Sequence, residues 1–375
     1  MGLTVISGKK RYFLFFIRVE AMIGGGDYSL IQFANELAKK NEVTVVCNRD
    51  ISKFISNVQF SNIKVPQLPH WWRGVAKANS FLWRLFVLIL SFGLNKNIPK
   101  EKYCVGYLRK SALESVTFAR KQKMKSIVFH FETPNWVDEE LGTDSSHATL
   151  WRTAEKAYKS CDLLIANSKL AAAKCAEWCG RESDAVVYPG IEKPLHTKAV
   201  ERDDSVVCIG RMVSSKSMED AIYVVSKMDY SPTLIMIGSG PQLEKLKRLA
   251  KKLKVNAYFV GQVSETAKWS YICSAKLMIF PSRFEGFGMP PGESLSAGTP
   301  VICRDLSITK EVYGDSVLYF RSIEEASHLA DELLSDSERW ANVSSKGLAY
   351  IENRFTWEQS SEVIENLVDN MEARS

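Results

Sequence analysis

The sequence predicts an α/β protein built from two doubly wound parallel-sheet domains. Three observations predict it. Short, continuously apolar runs such as Tyr12–Ile17, Thr233–Ile237 and Leu277–Phe280 suit parallel strands covered on both faces. Helical periodicities separate these runs, so strand and helix alternate along the chain. The alternation stops at Pro189-Gly190 and the polar stretch Glu192–Asp204, then restarts, which marks a boundary. A chain of 375 residues is too long for one ordinary core and fits two.

Tyr12–Ile17 opens the first domain as a buried strand. Gly24-Gly25-Gly26 forms a turn, and Asp27–Lys40 is a helix with Leu30, Phe33, Leu37 and Ala38 at helical spacing. Val43–Cys47 completes a βαβ unit. Strands Tyr103–Tyr107 and Ser126–Phe129 flank the helix Ser111–Lys121, and Leu163–Ala166 and Ala185–Val187 flank Lys169–Cys179. In the second half, strand Ser205–Ile209, helix Ser217–Met228 and strand Thr233–Ile237 lead to the turn Gly238–Pro241. Pro241 suits the first turn of helix Gln242–Leu253. Strand Ala257–Val260, helix Glu265–Cys273 and strand Leu277–Phe280 follow, then short strands Pro300–Cys303 and Val317–Phe320. From Ile323 the pattern is helical, ending in a last helix near Thr356–Met371. The domains are therefore 1–190 and 191–355, with a closing helix in 356–375. Such folds bind ligands at the carboxyl ends of their strands.

Composition excludes several classes. With 46% hydrophobic and 25% charged residues the chain is neither disordered nor fibrous. Eight cysteines are too sparse for a disulfide scaffold. Cys175 and Cys179 have no second Cys or His pair at zinc-ligand spacing. Read as reduced core thiols, they point to a reducing, cytoplasmic setting.

The net charge of +6 is unevenly placed. Residues 1–195 carry 28 Lys+Arg and 18 Asp+Glu, a net of +10, which leaves −4 for residues 196–375. Residues 64–125 hold 13 basic residues against Glu101 and Glu114, a net of +11. That block suits an anionic membrane surface, a nucleic acid or a phosphorylated substrate, and a merely solvated surface is equally open. The run Phe81–Leu94, broken by Arg84, is shorter than the roughly 20 residues a bilayer span needs. Tryptophan and arginine around it suit a membrane interface, and a buried core helix stays open as the alternative. Tyr12–Ile17 is too short for a signal-peptide core.

The segment from Phe280 to Pro300 is the richest in chemistry. A strand ends at Phe280, a loop with three glycines follows, and a helix begins near Pro291. Glu285 falls in the loop and Glu293 in the first helical turn. Glycines admit a close ligand, and a helix start attracts phosphate. One carboxylate can accept from sugar hydroxyls and the other from a ribose diol. The plainer reading is an ordinary strand–helix loop with Glu293 stabilising its own helix start. Gly25 and Gly26 precede a helix, where a simple tight turn is as good a reading. His130, one of five histidines, stands at a strand end, where either a ligand group or a structural hydrogen-bonder is at home.

Glu285 and Glu293, with seven residues between them in Glu-Gly-Phe-Gly-Met-Pro-Pro-Gly-Glu-Ser, resemble the E-x7-E signature of the retaining GT-B glycosyltransferases of family 4. Further segments resemble that family in its order: Gly210-Arg211 to Lys216, Ile237-Gly-Ser-Gly-Pro241, Phe259-Val-Gly-Gln-Val263, Ile165-Ala-Asn-Ser168, Val187-Tyr-Pro-Gly-Ile191 and the Gly24–Gly26 loop. The resemblance is most specific in the C-terminal half.

The resemblance implies a GT-B fold, two Rossmann-like domains facing a central cleft, with the closing helix crossing back to the N-terminal domain. It implies a retaining, metal-independent hexosyltransferase with no cofactor beyond its nucleotide-sugar donor. Arg211 and Lys216 would neutralise the donor diphosphate, Glu285 would meet the transferred sugar, and His130 would lie beside it. Phe287, Gly288 and Met289 would hold the sugar and its phosphate through their backbone. Glu293 would bind the ribose, Ser294 and Leu295 would offer N–H groups to the diphosphate, and Val263 would lie near the base. Gly25 and Gly26 would face the diphosphate, with Glu132 and Asp138 on the acceptor side. The form of the loop favours GDP-mannose, with a UDP-hexose next. The acceptor is a glycan or lipid-linked glycan, with peripheral membrane contact through residues 64–125. No nucleic-acid reader motif is present, so no nucleic acid is expected. Alternatives left open are an epimerase or phosphorylase in a similar frame, an inactive or regulatory sugar-nucleotide-binding relative, and a basic nucleic-acid- or membrane-binding protein.

Overall fold

The computed structural model describes residues 10–17, 24–47, 51–55, 60–64, 102–107, 109–141, 148–194, 202–352 and 354–374. The tryptophan-rich segment 70–94, and with it most of the basic block 64–125, lies outside the described residues, as do positions 195–201 of the boundary.

The chain forms two compact units. The first comprises Met1–Asn135, Asp144–Tyr188 and Trp357–Ser375, and the second comprises Trp136–Thr143 and Pro189–Thr356. In the first unit lie strands β1 (Tyr12–Ile17), β2 (Glu42–Cys47), β3 (Phe60–Lys64), β4 (Lys102–Tyr107), β5 (Lys125–His130), β6 (Leu163–Ala166) and β7 (Ala185–Val186). They make one parallel sheet in the order β3-β2-β1-β4-β5-β6-β7. β1 sits inside it and every residue from Tyr12 to Ile17 is buried, as its unbroken apolar run requires. Phe13 lies between Val43 and Tyr103 in register and stacks on the Tyr103 ring at 5.1 Å.

The helices of the first half are α1 (Gly25–Leu37), α2 (Arg109–Gln122), α3 (Pro134–Leu141), α4 (Ala148–Ser160) and α5 (Lys169–Cys179). α1 starts two residues earlier than its apolar periodicity indicates, inside the glycine run. α5 is capped by Ser168, whose hydroxyl accepts from the Ala171 N–H at 3.0 Å, and it closes on Gly180 at φ 69°. Three elements here were not legible as such in the sequence: β3, α3 and α4.

α3 also alters the domain reading. Its residues from Trp136 onward group with the second unit, where the Trp136 ring meets Phe284 at 5.1 Å, centroid to centroid.

The second unit holds β8 (Asp203–Ile209), α6 (Met218–Lys227), β9 (Thr233–Ile237), α7 (Leu243–Lys252), β10 (Ala257–Gly261), α8 (Glu265–Ser274) and β11 (Ala275–Phe280). It continues with α9 (Met289–Ser296), β12 (Val301–Arg304), α10 (Ser307–Tyr313), β13 (Leu318–Phe320), α11 (Ile323–Ser335) and α12 (Ser337–Ile351). Its parallel sheet runs β10-β9-β8-β11-β12-β13. Strand order reverses between β8 and β11, which pair directly through Val206 and Leu277. The loops leaving these two strands therefore emerge side by side at the switch point where such sheets bind ligands.

The closing helix α13 (Trp357–Ala373) belongs to the first unit. Trp357 packs edge-on against Phe33 at 5.3 Å and Tyr28 at 6.3 Å. The largely buried Arg11 pairs with Asp369 and with Glu372 at 2.9 Å. The two carboxylates more than offset the cost of burying the guanidinium and hold its pKa above the usual value.

Candidate active site

Three loops at the carboxyl end of the second sheet are laced together by their backbones. After β8, the Gly210 N–H donates to the Ile237 carbonyl at 3.0 Å and the Met212 N–H to that of Ser239 at 2.9 Å. The Gly238 N–H donates to the Gly261 carbonyl at 2.8 Å. Gly238 has φ 128°, and a Cβ there would stand 1.9 Å from the Gly210 oxygen, so no side chain fits. This close passage explains the Gly-Ser-Gly-Pro turn.

Lys216 ends a single 3-10 turn, Ser214–Lys216. The loop after β11 docks on that turn through the Arg283 N–H, which donates to the Ser215 carbonyl at 2.9 Å. The docking brings Glu285 to Lys216. The Lys216 Nζ donates to Glu285 Oε1 at 2.6 Å and to the Phe284 carbonyl at 3.4 Å. Their side chains keep 18% and 12% exposure, so the pair faces outward from the core without being bathed in solvent. Arg304 braces the loop from behind, donating to the Pro281 carbonyl at 2.9 Å and pairing with Asp220.

The same loop ends at Gly288, the N-cap of α9, in the left-handed region at φ 85°. The buried Tyr313 hydroxyl donates to the Gly288 carbonyl and accepts from the Gly292 N–H at 3.1 Å. It thereby pins both sides of the helix start. Phe287 is buried with its ring 5.8 Å from Phe355, and Met289 is half-buried as the first helical residue. Ser294 and Leu295 stand sixth and seventh in α9. They lie past the first four N–H groups that a helix leaves unpaired.

Glu293 is buried in α9, and it has a partner the sequence does not reveal. Lys268 of α8 donates to Glu293 Oε1 at 2.8 Å, and it also pairs with Glu265 at 2.7 Å. Burial pushes the Glu293 carboxyl up from its ordinary pKa, and the Lys268 ammonium opposes that push. Burial also works against the Lys268 ammonium, but Glu293 and Glu265 outweigh it and its pKa stands above the usual value. Val263, half-buried, precedes Ser264, which caps α8 by accepting from the Ala267 N–H at 3.2 Å. Arg211 is exposed at the end of β8, with no side-chain partner among the described residues.

The structure thus brings Lys216, Glu285, Phe287, Gly288 and Met289 together, and joins Glu293 to the segment after Val263 through Lys268. Gly25, Gly26 and His130 belong to the first unit. Gly25 is exposed in the first turn of α1, and Gly26 lies so near Phe131 that a Cβ would come within 2.9 Å of its ring. Asp27 secures this start, accepting from the Gly24 N–H at 2.8 Å and from the Tyr107 hydroxyl. His130 is wholly buried; its Nε2 lies 2.8 Å from the Ser183 hydroxyl, and Nδ1 has no hydrogen-bond partner among the described residues. Desolvation lowers its pKa to about 3, so the ring is neutral near pH 7. Glu132 and Asp138 are half-buried beyond it. Among the described residues no three His, Cys, Asp or Glu side chains converge on a metal-sized position.

Lys268 and Tyr313 are the two residues that sequence reasoning missed. A lysine in a polar first helical turn reads as solvated, and a tyrosine before Gly314 reads as core.

Residues 193–349 match the family model of the group 1 glycosyl transferases. The chain is 27% identical over 173 residues to the O-antigen biosynthesis glycosyltransferase WclY of Escherichia coli, covering 45% of this chain and 48% of that protein. It is 25% identical over 178 residues to a GDP-mannose-dependent monoacylated alpha-(1-6)-phosphatidylinositol monomannoside mannosyltransferase of Corynebacterium glutamicum, covering 44% and 47%. The chain therefore spans about half the length of these curated relatives. Among solved structures, Anabaena Alr3699/HepE in complex with UDP and glucose superposes with a TM-score of 0.75 at 14% identity, covering 96% of this chain and 100% of that one. None of the helices among the described residues is long and apolar enough to cross a membrane. Residues 193–349 are thus similar to the group 1 glycosyl transferases, and the two parallel-sheet Rossmann-like domains have the GT-B fold.

Proposed function

We propose that the protein is a retaining hexosyltransferase that moves a sugar from a nucleoside-diphosphate donor to a glycan or lipid-linked glycan. The observation that carries this reading is the Lys216–Glu285 pair at the switch point of the second sheet, 2.6 Å apart. An ammonium has three donors. Two are taken by Glu285 and the Phe284 carbonyl, which leaves one for a donor phosphate oxygen. The exposed Arg211 adds a fork suited to the same diphosphate. The second Glu285 oxygen can accept from a hydroxyl of the transferred sugar, and Glu293 from the ribose diol.

The bond from the anomeric carbon to the diphosphate oxygen breaks as the acceptor oxygen bonds on the same face. The acceptor proton passes to the departing diphosphate oxygen. Arg211 and Lys216 stabilise the negative charge that grows on the leaving group, so no divalent metal is required. GDP-mannose is favoured as donor, on the mannosyltransferase relative, and a UDP-hexose comes next, on the structure that holds UDP. The acceptor side falls to the first unit, with residues 64–125 as its contact to an anionic membrane surface and the cytoplasm as its setting.

Incubation of the full chain with radiolabelled GDP-mannose or UDP-glucose and a bacterial lipid extract tests the reading. Transfer into a product with the donor's anomeric configuration is expected. Release of free sugar alone, or an inverted product, would overturn it.

A further inference from the structure

We infer that a second anion site, separate from the diphosphate position, lies in the cleft between α6 and α7 and takes a phosphate ester. The cleft is an open surface groove of about 440 Å³. One wall is Tyr223 of α6, with 37% of its surface exposed. The facing wall carries Arg248 and Lys252, one turn apart on α7, and Arg283 closes the end from the β11–α9 loop.

Charge arithmetic decides the sign of the ligand. The two acids of the lining already have cations of their own. Asp220 is held by Arg304, and Glu219 lies 3.8 Å from Lys245. Arg248 and Lys252 are exposed and have no acidic partner among the described residues, and Arg283 reaches only the engaged Asp220, at 4.0 Å. Arg248 and Lys252 thus stand on the groove without an acidic partner among the described residues, and Arg283 shares Asp220 with Arg304, so the lining carries a net positive charge that attracts anions. Two guanidinium forks match the geometry of a phosphate, and the Tyr223 face offers a platform for a sugar or glycerol body. Arg283 belongs to the loop that carries Glu285, so an anion in the cleft also steadies that loop. The site does not depend on the glycosyl-transfer reading.

The phosphate ester can be that of a soluble sugar phosphate or of a lipid headgroup. Calorimetry of the full chain with glucose 6-phosphate probes the first, and co-sedimentation with phosphatidylcholine vesicles with and without phosphatidylglycerol probes the second. Saturable binding of either probe is expected in the wild type and in Lys216→Ala. It should weaken about tenfold or more in the double variant Arg248→Ser, Lys252→Ser, whose changes lie on the solvent face of α7. Binding of glucose 6-phosphate identifies the soluble source, and binding only to the phosphatidylglycerol vesicles identifies the lipid. Failure of both probes, undiminished binding by the double variant, or loss of binding in Lys216→Ala instead would overturn the inference.

Discussion

The Lys268 ammonium lies 2.8 Å from Glu293 Oε1, linking α8 to α9 across the core end of the site. Glu293 keeps 8% side-chain exposure and Lys268 15%, so neither charge is balanced by water. Breaking a buried pair by removing one partner costs about 3–5 kcal/mol, because the other charge is stranded. Lys268→Ala should therefore lower stability and leave Glu293 protonated or displaced. Isothermal denaturation should show the loss. Where the variant still folds, nucleotide affinity should fall more than kcat, and Lys268→Arg should restore most of it. A variant with wild-type KM would show that the pair is structural only.

Lys216→Ala should abolish transfer while the circular dichroism spectrum stays native, since the side chain is part-exposed and anchors no core. Glu285→Gln keeps the shape of its partner but removes the charge, and should reduce kcat while leaving the melting temperature close to wild type. Full activity in either variant would remove the pair from the mechanism.

His130 makes a signed prediction about pH. Its pKa falls to about 3 on burial, from the ordinary value of 6.5 in the unfolded chain. The unfolded state therefore binds a proton below pH 6.5 that the folded state refuses. The stability that comes from keeping the ring neutral is fully present above pH 6.5. It is lost at about 1.4 kcal/mol per pH unit as the pH falls toward 3. Followed from pH 7 to pH 4, the stability of the wild type should fall relative to that of His130→Phe, which has no imidazole to protonate. Parallel curves would show that the imidazole does not titrate in this way.

Tyr313→Phe removes the hydroxyl that bridges Gly288 and Gly292. The Gly292 N–H would be left buried without that acceptor, at a cost of about 1–3 kcal/mol. Thermal denaturation should report the loss, together with a raised KM for the donor, because the loop that ends at Gly288 is no longer pinned. Chelation is the companion test. Activity should survive EDTA, and loss that added metal restores would contradict the metal-independent mechanism.

Much of this was legible in the sequence where one residue pattern had one physical solution. The run Tyr12–Ile17 has no polar face, so it had to be a covered strand, and it lies between β2 and β4. Gly238 and Gly288 marked turns because the chain passes too close or too far left-handed for a side chain. The short E-x7-E spacing put Glu285 on a loop and Glu293 on the helix that follows. What stayed hidden depends on partners far along the chain. Lys268 is 25 residues from Glu293 and Tyr313 is 25 from Gly288, and neither spacing leaves a local signature. Helix α4 carries an apolar stripe, with Trp151, Ala154, Ala157 and Tyr158 buried at helical spacing. His130 shows the opposite limit. A histidine at a strand end reads equally as ligand group or core residue, and only its burial and bond to Ser183 give its environment.

The central claim is that the loops carrying Lys216, Glu285 and Glu293 hold a nucleoside-diphosphate sugar. The most direct test is thermal denaturation of wild type, Lys216→Ala and Glu293→Gln with GDP, UDP, ADP and their sugars. A ligand at about 100 times its Kd adds roughly 2.7 kcal/mol to the folded state, enough to raise the melting temperature by several degrees. The account predicts such a rise for GDP-mannose or a UDP-hexose in the wild type, and its loss in both variants. No rise with any nucleotide sugar, or an equal rise in all three proteins, would contradict it.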